Sequence, residues 1–230
     1  MSEQTIADNI AKLFERVRLA AQKSQRSESG ISVLAVSKTR PCGDLRHAFN
    51  NGLSEFGENY LQEALTKIEQ LADLPLTWHF IGPIQSNKTR AIAENFDWVH
   101  TVDRIKIAQR LSDQRPAHLA PLQICIQVNI SQEESKSGVM LESLPSLARQ
   151  ILALPALRLR GLMAIPVATD DKNVQNAAFA KLNTAQIELR EFAPGLDTLS
   201  MGMSGDMESA IAQGSTLVRI GTDIFGARKK

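Results

Sequence analysis

Ile31-Ser-Val-Leu-Ala-Val-Ser-Lys-Thr-Arg40 contains an apolar run, Val33 to Val36, that stops abruptly at Ser37, Lys38, Thr39 and Arg40. A short, β-branched-rich run bounded by polar residues predicts a buried strand of a parallel sheet. Lys38 then stands where the strand gives out, the end at which α/β folds gather ligands. An amine there serves as a catalytic or cofactor-binding group, because partial burial and a neighbouring cation such as Arg40 lower its pKa and free the lone pair. The plainer reading is a lysine at the strand's exit into water. The rest of the chain has to separate the two.

Working outward from that strand, a helical spacing of Ile10, Leu13, Phe14, Val17 and Ala21 predicts an amphipathic helix over 5–24, ahead of the first strand. After the strand at 32–37 comes a short helix over 44–50, stopped by Asn51-Gly52. A weakly marked strand over 53–56 ends at Gly57-Glu-Asn-Tyr60, and a helix over 61–71 follows. Further strands are expected over 76–81, 98–102, 122–130, 159–165, 198–201 and 217–220. Helices are expected over 87–95, 104–112, 141–154, 174–192 and 206–213, with Ser86 and Asp103 as N-caps of the first two. Eight strands alternating with helices imply parallel pairing through right-handed crossovers. The prediction is an α/β fold, a single (β/α)8 TIM barrel with an extra N-terminal helix, over one domain spanning 1–230. A doubly wound open sheet competes, but it usually carries a Gly-rich turn after strand one, and Ser37-Lys-Thr-Arg-Pro41 is not one.

Composition narrows the function classes. In 230 residues, 43% are apolar and 22% charged, ordinary for a water-soluble globular chain. The formal net charge is +1, so no strong field argues for nucleic acid or an anionic membrane. No basic segment followed by an apolar stretch opens the chain, and no run approaches a membrane span. Cys42 and Cys125 have neither metal-ligand spacing nor a partner framework. The expectation is a reduced, cytoplasmic protein. No long exposed apolar stripe is evident, so a monomer is expected.

A second group of residues completes the candidate site. Barrel enzymes often bind phosphate in the loops after strands seven and eight, at the start of a short helix. Here strand seven runs into Met201-Gly-Met-Ser-Gly-Asp206, and strand eight gives Arg219-Ile-Gly-Thr222. Ser204 and Thr222 offer hydroxyls, Gly205 and Gly221 allow close backbone approach, and the helix start adds N–H groups. Ordinary N-capping by Ser204 and a turn at Gly221 is the alternative. A phosphate site across the barrel mouth from a strand-one lysine suggests a phosphorylated carbonyl ligand. Both a Schiff-base sugar-phosphate aldolase and a lysine-bound pyridoxal 5′-phosphate fit.

Several longer motifs carry a resemblance. They are Ala35-Val-Ser-Lys-Thr39, Phe56-Gly-Glu-Asn-Tyr60, His79-Phe-Ile-Gly-Pro-Ile-Gln-Ser-Asn-Lys88, Val128-Asn-Ile130 with Lys136-Ser-Gly138, Gly161-Leu-Met163, Leu199-Ser-Met-Gly-Met-Ser-Gly-Asp206 and Arg219-Ile-Gly-Thr-Asp-Ile-Phe-Gly226. In order and over nearly the whole chain, these resemble the pyridoxal phosphate homeostasis protein family, similar in fold to the N-terminal domain of alanine racemase. The resemblance implies pyridoxal 5′-phosphate (PLP) as cofactor, carried by Lys38 as a Schiff base. Ser204, Gly205, Gly221 and Thr222 would hold its phosphate, and Arg219 would face the pyridine ring. Asn59 and Met201 would line the ring. A charged arginine beside the ring nitrogen disfavours its protonation and makes the ring a poorer electron sink.

The comparison also shows what is lacking. Alanine racemase takes one of its two bases, a tyrosine, from a second domain; the single tyrosine here is Tyr60, which nothing in the sequence places on the required face. The expected role is therefore vitamin B6 homeostasis with no catalytic residue assigned, exchanging PLP with apoenzymes or enzymes of the B6 pathway. A small PLP-dependent racemase and a cofactor-free aldolase are the alternatives. His79 and His100 read as structural, Trp78 and Trp98 as packing residues, and no metal site is expected. Lys136 is a loop lysine on the Lys38 side of the barrel, and Arg228-Lys-Lys230 a tail too short to imply nucleic acid.

Overall fold

Strands of a parallel sheet need cover on both faces, and closing the sheet removes its edges. The computed structural model, which describes residues 2–131 and 137–227, meets both requirements. Strands β1 (Ser32–Val36), β2 (Glu55–Glu58), β3 (Thr77–Phe80), β4 (Trp98–Val102), β5 (Leu122–Gln127), β6 (Leu157–Met163), β7 (Thr198–Ser200) and β8 (Leu217–Ile220) pair in chain order, and β8 returns to β1. Helices α2 (Cys42–Asn50), α3 (Leu61–Gln70), α4 (Thr89–Asn95), α5 (Ile105–Gln114), α6 (Leu144–Leu152), α7 (Lys172–Leu189) and α8 (Met207–Ala212) follow β1 to β7 in turn. Helix α1 (Glu3–Lys23) precedes the barrel and α9 (Thr222–Phe225) follows β8. This is the expected (β/α)8 barrel with an additional N-terminal helix. Among the described residues no helix is long and apolar enough to cross a membrane.

Local differences from the sequence reading have local causes. The weak strand over 53–56 lies instead over β2, because Gly57 and Glu58 pair in register with His79 and Phe80. The long strand over 122–130 ends at Gln127, beyond which Val128 makes only an isolated bridge to Val139. Helix α9 was not expected, since four residues are too few to show periodicity. Neither Ser86 nor Asp103 caps a helix through its side chain. A 3-10 turn over Ser86–Lys88 leads into α4, and Asp103 accepts from Arg104 Nη1 (2.6 Å). Gly161 is required by crowding: a Cβ there would lie 1.7 Å from the Thr198 carbonyl oxygen.

Helix α1 buries Ile6, Ile10, Leu13 and Val17 against the barrel's helical layer. At roughly 1.5–3 kcal/mol for each large aliphatic side chain, that face alone anchors the helix. The barrel interior is different. Alternation directs Leu34, His79, His100, Cys125, Ser200 and Arg219 inward, so the inner layer is strongly polar. His79 Nδ1 lies 2.9 Å from His100 Nε2, and His100 Nδ1 lies 2.7 Å from Ser200 Oγ. Arg219 Nη1 donates to Ser200 Oγ (2.9 Å). Ser200 Oγ accepts from Arg219, and the Ser200 hydroxyl and the two imidazoles form one continuous hydrogen-bonded series. Among the described residues His79 Nε2 is buried without a hydrogen-bond partner, 3.8 Å from Glu55.

Burial pushes His79 down to about 3, and burial plus the neighbouring His79 and Arg219 holds His100 well below its ordinary value. Both rings are neutral in the folded protein. Below the ordinary histidine value of 6.5, the unfolded chain takes up protons that the buried rings refuse, so stability is lost as pH falls. Each ring contributes a slope of up to about 1.4 kcal/mol per pH unit. His100→Asn is expected to flatten the pH dependence of unfolding free energy by about one such slope between pH 6.5 and 5, measured by urea denaturation. An unchanged slope would show that His100 already carries a proton in the folded state.

Candidate functional site

Lys38 stands two residues beyond β1, on backbone gripped from both sides. Thr39 has φ +65°, a left-handed conformation that costs a β-branched residue about 1–3 kcal/mol. Its N–H donates to Glu63 Oε1 (2.5 Å), while the Ser37 carbonyl accepts from Lys67 Nζ (2.8 Å). Lys67 also donates to Glu58 Oε1 (2.7 Å) and Glu63 Oε1 (2.6 Å), so its three N–H groups are all used. Ser37 Oγ donates to the same Glu58 oxygen (2.6 Å). Burial raises the Glu58 carboxyl above its usual range, against the lowering pull of Lys67 and Ser37. In sequence, Glu63 and Lys67 form an ordinary i,i+4 pair, a pattern usually met on helix surfaces. Only packing of α3 onto β1 and β2 turns it into a buried clamp beside Lys38.

The ends of the strands enclose a cavity of about 270 Å³. Lys38, Asn59, Ser204, Gly205, Arg219, Gly221 and Thr222 all line it. Met201 does not. It is fully buried in the core, and Gly202, at φ +98°, turns the chain so that Met203 lines the cavity instead. With Ile81, Met163 and Ile165, Met203 gives the space an apolar wall that the sequence reading missed. Ser204 is not the cap of α8; that position belongs to Asp206, whose Oδ1 accepts from the Met203 N–H (2.6 Å). The hydroxyl of Ser204 is therefore not spent on helix capping. Tyr60 is 53% exposed and lies outside the lining. Lys136 and the tail at 228–230 fall outside the described residues.

Arg219 forms the floor. It is 5% exposed, yet Nη1 donates to the Ser200 carbonyl and hydroxyl and Nη2 to the Ala164 carbonyl (2.9 Å). Burial lowers its pKa to about 10, with Asp206 opposing the shift, so the guanidinium stays charged at neutral pH. Among the described residues Asn59 Oδ1 is buried and lacks a hydrogen-bond partner. A larger space, about 590 Å³, lies between α6 and α7, but its polar groups, such as Arg149, Lys181 and Glu188, come from helix surfaces and none from a strand end. The strand-end cavity carries the chemistry: one amine, two hydroxyls, two glycines, a fixed cation, an unsatisfied acceptor and an apolar wall. Those groups suit a small aromatic aldehyde that bears a phosphate.

Comparison with known proteins gives the same direction. Residues 9–229 match the family model for the alanine racemase N-terminal domain. A curated relative in Pseudomonas aeruginosa, named pyridoxal phosphate homeostasis protein, is 62% identical over 97% of this chain and 96% of its own length. PipY of Synechococcus elongatus PCC7942, solved with PLP bound, is 38% identical, covers 96% of this chain and 100% of its own, and superposes with a TM-score of 0.82. Alanine racemase from Corynebacterium glutamicum, 16% identical with a TM-score of 0.69, shares the barrel fold; 98% of this chain is matched against 61% of that enzyme. The chain belongs to the pyridoxal phosphate homeostasis protein family, built on the alanine racemase N-terminal domain.

Proposed function

We propose that this chain binds pyridoxal 5′-phosphate in the strand-end cavity and serves vitamin B6 homeostasis by holding the cofactor and passing it on. The observation that carries this reading is the meeting of Lys38, Arg219 and the Ser204–Gly205 and Gly221–Thr222 pairs around one small space. The name of the Pseudomonas aeruginosa relative and the PLP bound to PipY support it. When bound, PLP supplies an aldehyde that condenses reversibly with amines and a ring that withdraws electrons from the same carbon.

Each residue then has a physical task. Lys38 supplies the amine for the Schiff base. Ser204 and Thr222 donate hydroxyl hydrogen bonds to the phosphate. A Cβ on Gly205 would meet nothing within 4 Å, so the backbone there is open to a ligand. Arg219, which only donates, faces the ring nitrogen and keeps it unprotonated, which weakens the ring as an electron sink. Asn59 Oδ1 accepts from a ligand donor, and Met203 and Ile81 cover the ring. Met201 takes no part. Fast racemisation needs a base on each face of the substrate carbon. Among the described residues Lys38 is the one titratable base lining the cavity, and the two neutral histidines lie in the barrel interior, outside that lining. Little or no turnover follows. The balanced charge and reduced cysteines suit a cytoplasmic monomer that exchanges PLP with apoenzymes or enzymes of the B6 pathway.

An absorbance spectrum of wild type beside Lys38→Ala tests the central claim. Wild type mixed with PLP is expected to show a Schiff-base band that borohydride bleaches, and Lys38→Ala to lack it; no band in wild type would sink the reading. Steady alanine turnover that disappears in Lys38→Ala would favour a racemase. For the phosphate side, Ser204→Ala and Thr222→Ala are each expected to weaken PLP binding about tenfold, the worth of one charge-assisted hydrogen bond. Pyridoxal, which lacks the phosphate, is expected to bind the variants as it binds wild type, as equilibrium titration would show.

A further inference from the structure

The two short helices that begin at the phosphate side of the cavity, α8 and α9, carry acids. Asp223 directly follows Thr222, and Glu208 lies four residues beyond Ser204. A phosphate dianion beside two unmasked carboxylates is repelled, and more strongly where protein replaces water. Arg16, from the additional N-terminal helix, meets both acids. Its Nε and Nη2 donate to Glu208 Oε1 (3.0 and 2.8 Å), and Nη1 donates to Asp223 Oδ2. Nη2 also reaches the main-chain oxygen of Ser204 (3.2 Å). One side chain thus ties α8 to α9 and holds the loop at Ser204.

Stability alone does not account for this arrangement. The side chains of Arg16, Glu208 and Asp223 keep 38%, 40% and 27% of their exposure, so water screens the pairs and each adds little to folding. Helix α1 has other anchors. Its apolar face is buried, Asn9 Nδ2 donates to the Ile224 carbonyl (3.0 Å), and just beyond its C-terminus Arg26 Nη1 donates to the Ile211 and Ser215 carbonyls (2.7 Å each). Removing the Arg16 charge would leave the helix in place and the two carboxylates uncovered.

We propose that Arg16 is a positioning residue for the phosphate: it ties α8 and the Ser204 loop to α9 and masks Glu208 and Asp223, so that a phosphate monoester dianion settles between Ser204 and Thr222. The proposal rests on the reading of this cavity as a PLP site. It gives the additional helix a task in ligand binding and makes affinity for the phosphorylated vitamer depend on a residue outside the cavity lining.

The test compares PLP with pyridoxal, which shares the aldehyde and ring, by absorbance titration of the full-length protein. Arg16→Met is expected to weaken PLP binding about tenfold, as uncovering like charges near a dianion requires, while pyridoxal affinity stays within about twofold. Arg16→Lys is expected to fall between wild type and Arg16→Met. Adding Glu208→Gln and Asp223→Asn to Arg16→Met is expected to restore most of the PLP affinity. Equal weakening for both ligands would reduce Arg16 to a structural clasp, and unchanged PLP affinity would remove the role altogether; either overturns the proposal. If Arg16→Met does not fold, Glu208→Gln with Asp223→Asn in an otherwise wild-type chain decides: PLP affinity is expected to rise with pyridoxal unchanged, and no rise overturns the proposal. Failure of wild type itself to bind PLP would instead overturn the cofactor reading.

Discussion

The pairing of β8 with β1 is the constraint on which the site depends. Leu34 lies opposite Arg219 and Ala35 opposite Ile220, so the first and last strands close the barrel in a single register. Closure removes both sheet edges and brings the residue-38 backbone beside Gly221 and Thr222. A slip of one residue would exchange the two faces of β8. Arg219 would then point at the helices and Ile220 into the interior. The guanidinium has acceptors only in the interior, at Ser200 and Ala164, so the wrong register would strand a buried charge.

Two buried polar clusters hold the scaffold together beneath the open strand-end cavity. One is the ordered series His79, His100, Ser200 and Arg219 in the barrel interior. The other is the Glu58–Lys67–Glu63 cluster that grips the backbone on either side of Lys38. Buried charges of this kind contribute little net stability, because desolvation offsets their attraction. Their effect is geometric. They hold the backbone on either side of Lys38 and the guanidinium of Arg219 beside a cavity otherwise walled by loops and apolar side chains. The strained Thr39 belongs to the same arrangement, with its conformation held by the carboxylate on its N–H.

Much of this was legible in sequence because strand alternation and strand-end chemistry are local signals. Lys38, Ser204, Gly205, Arg219, Gly221 and Thr222 all follow or end strands whose apolar runs are plain, and the fold then carries them to one cavity. Met201 falls outside the cavity lining because alternation fails where Gly202 turns the chain. Lys67, Glu63 and Arg16 were missed because charged residues on amphipathic helices look alike whether they face water or a neighbouring loop. The weak marking of β2 has a similar origin: half of its four residues are glutamates, and their burial depends on partners supplied by α3 and the barrel.

By itself, the sequence determined the alternation of strands and helices, the closed parallel architecture this implies, and the residues at the strand ends that line the cavity. These follow from side-chain periodicity and backbone preference, which act within a few residues. Tertiary structure alone decided which charges pair, which methionines line the cavity, and how α1 reaches α8 and α9. Those outcomes depend on burial and distance between groups far apart in the chain, and neither quantity exists until the barrel has closed.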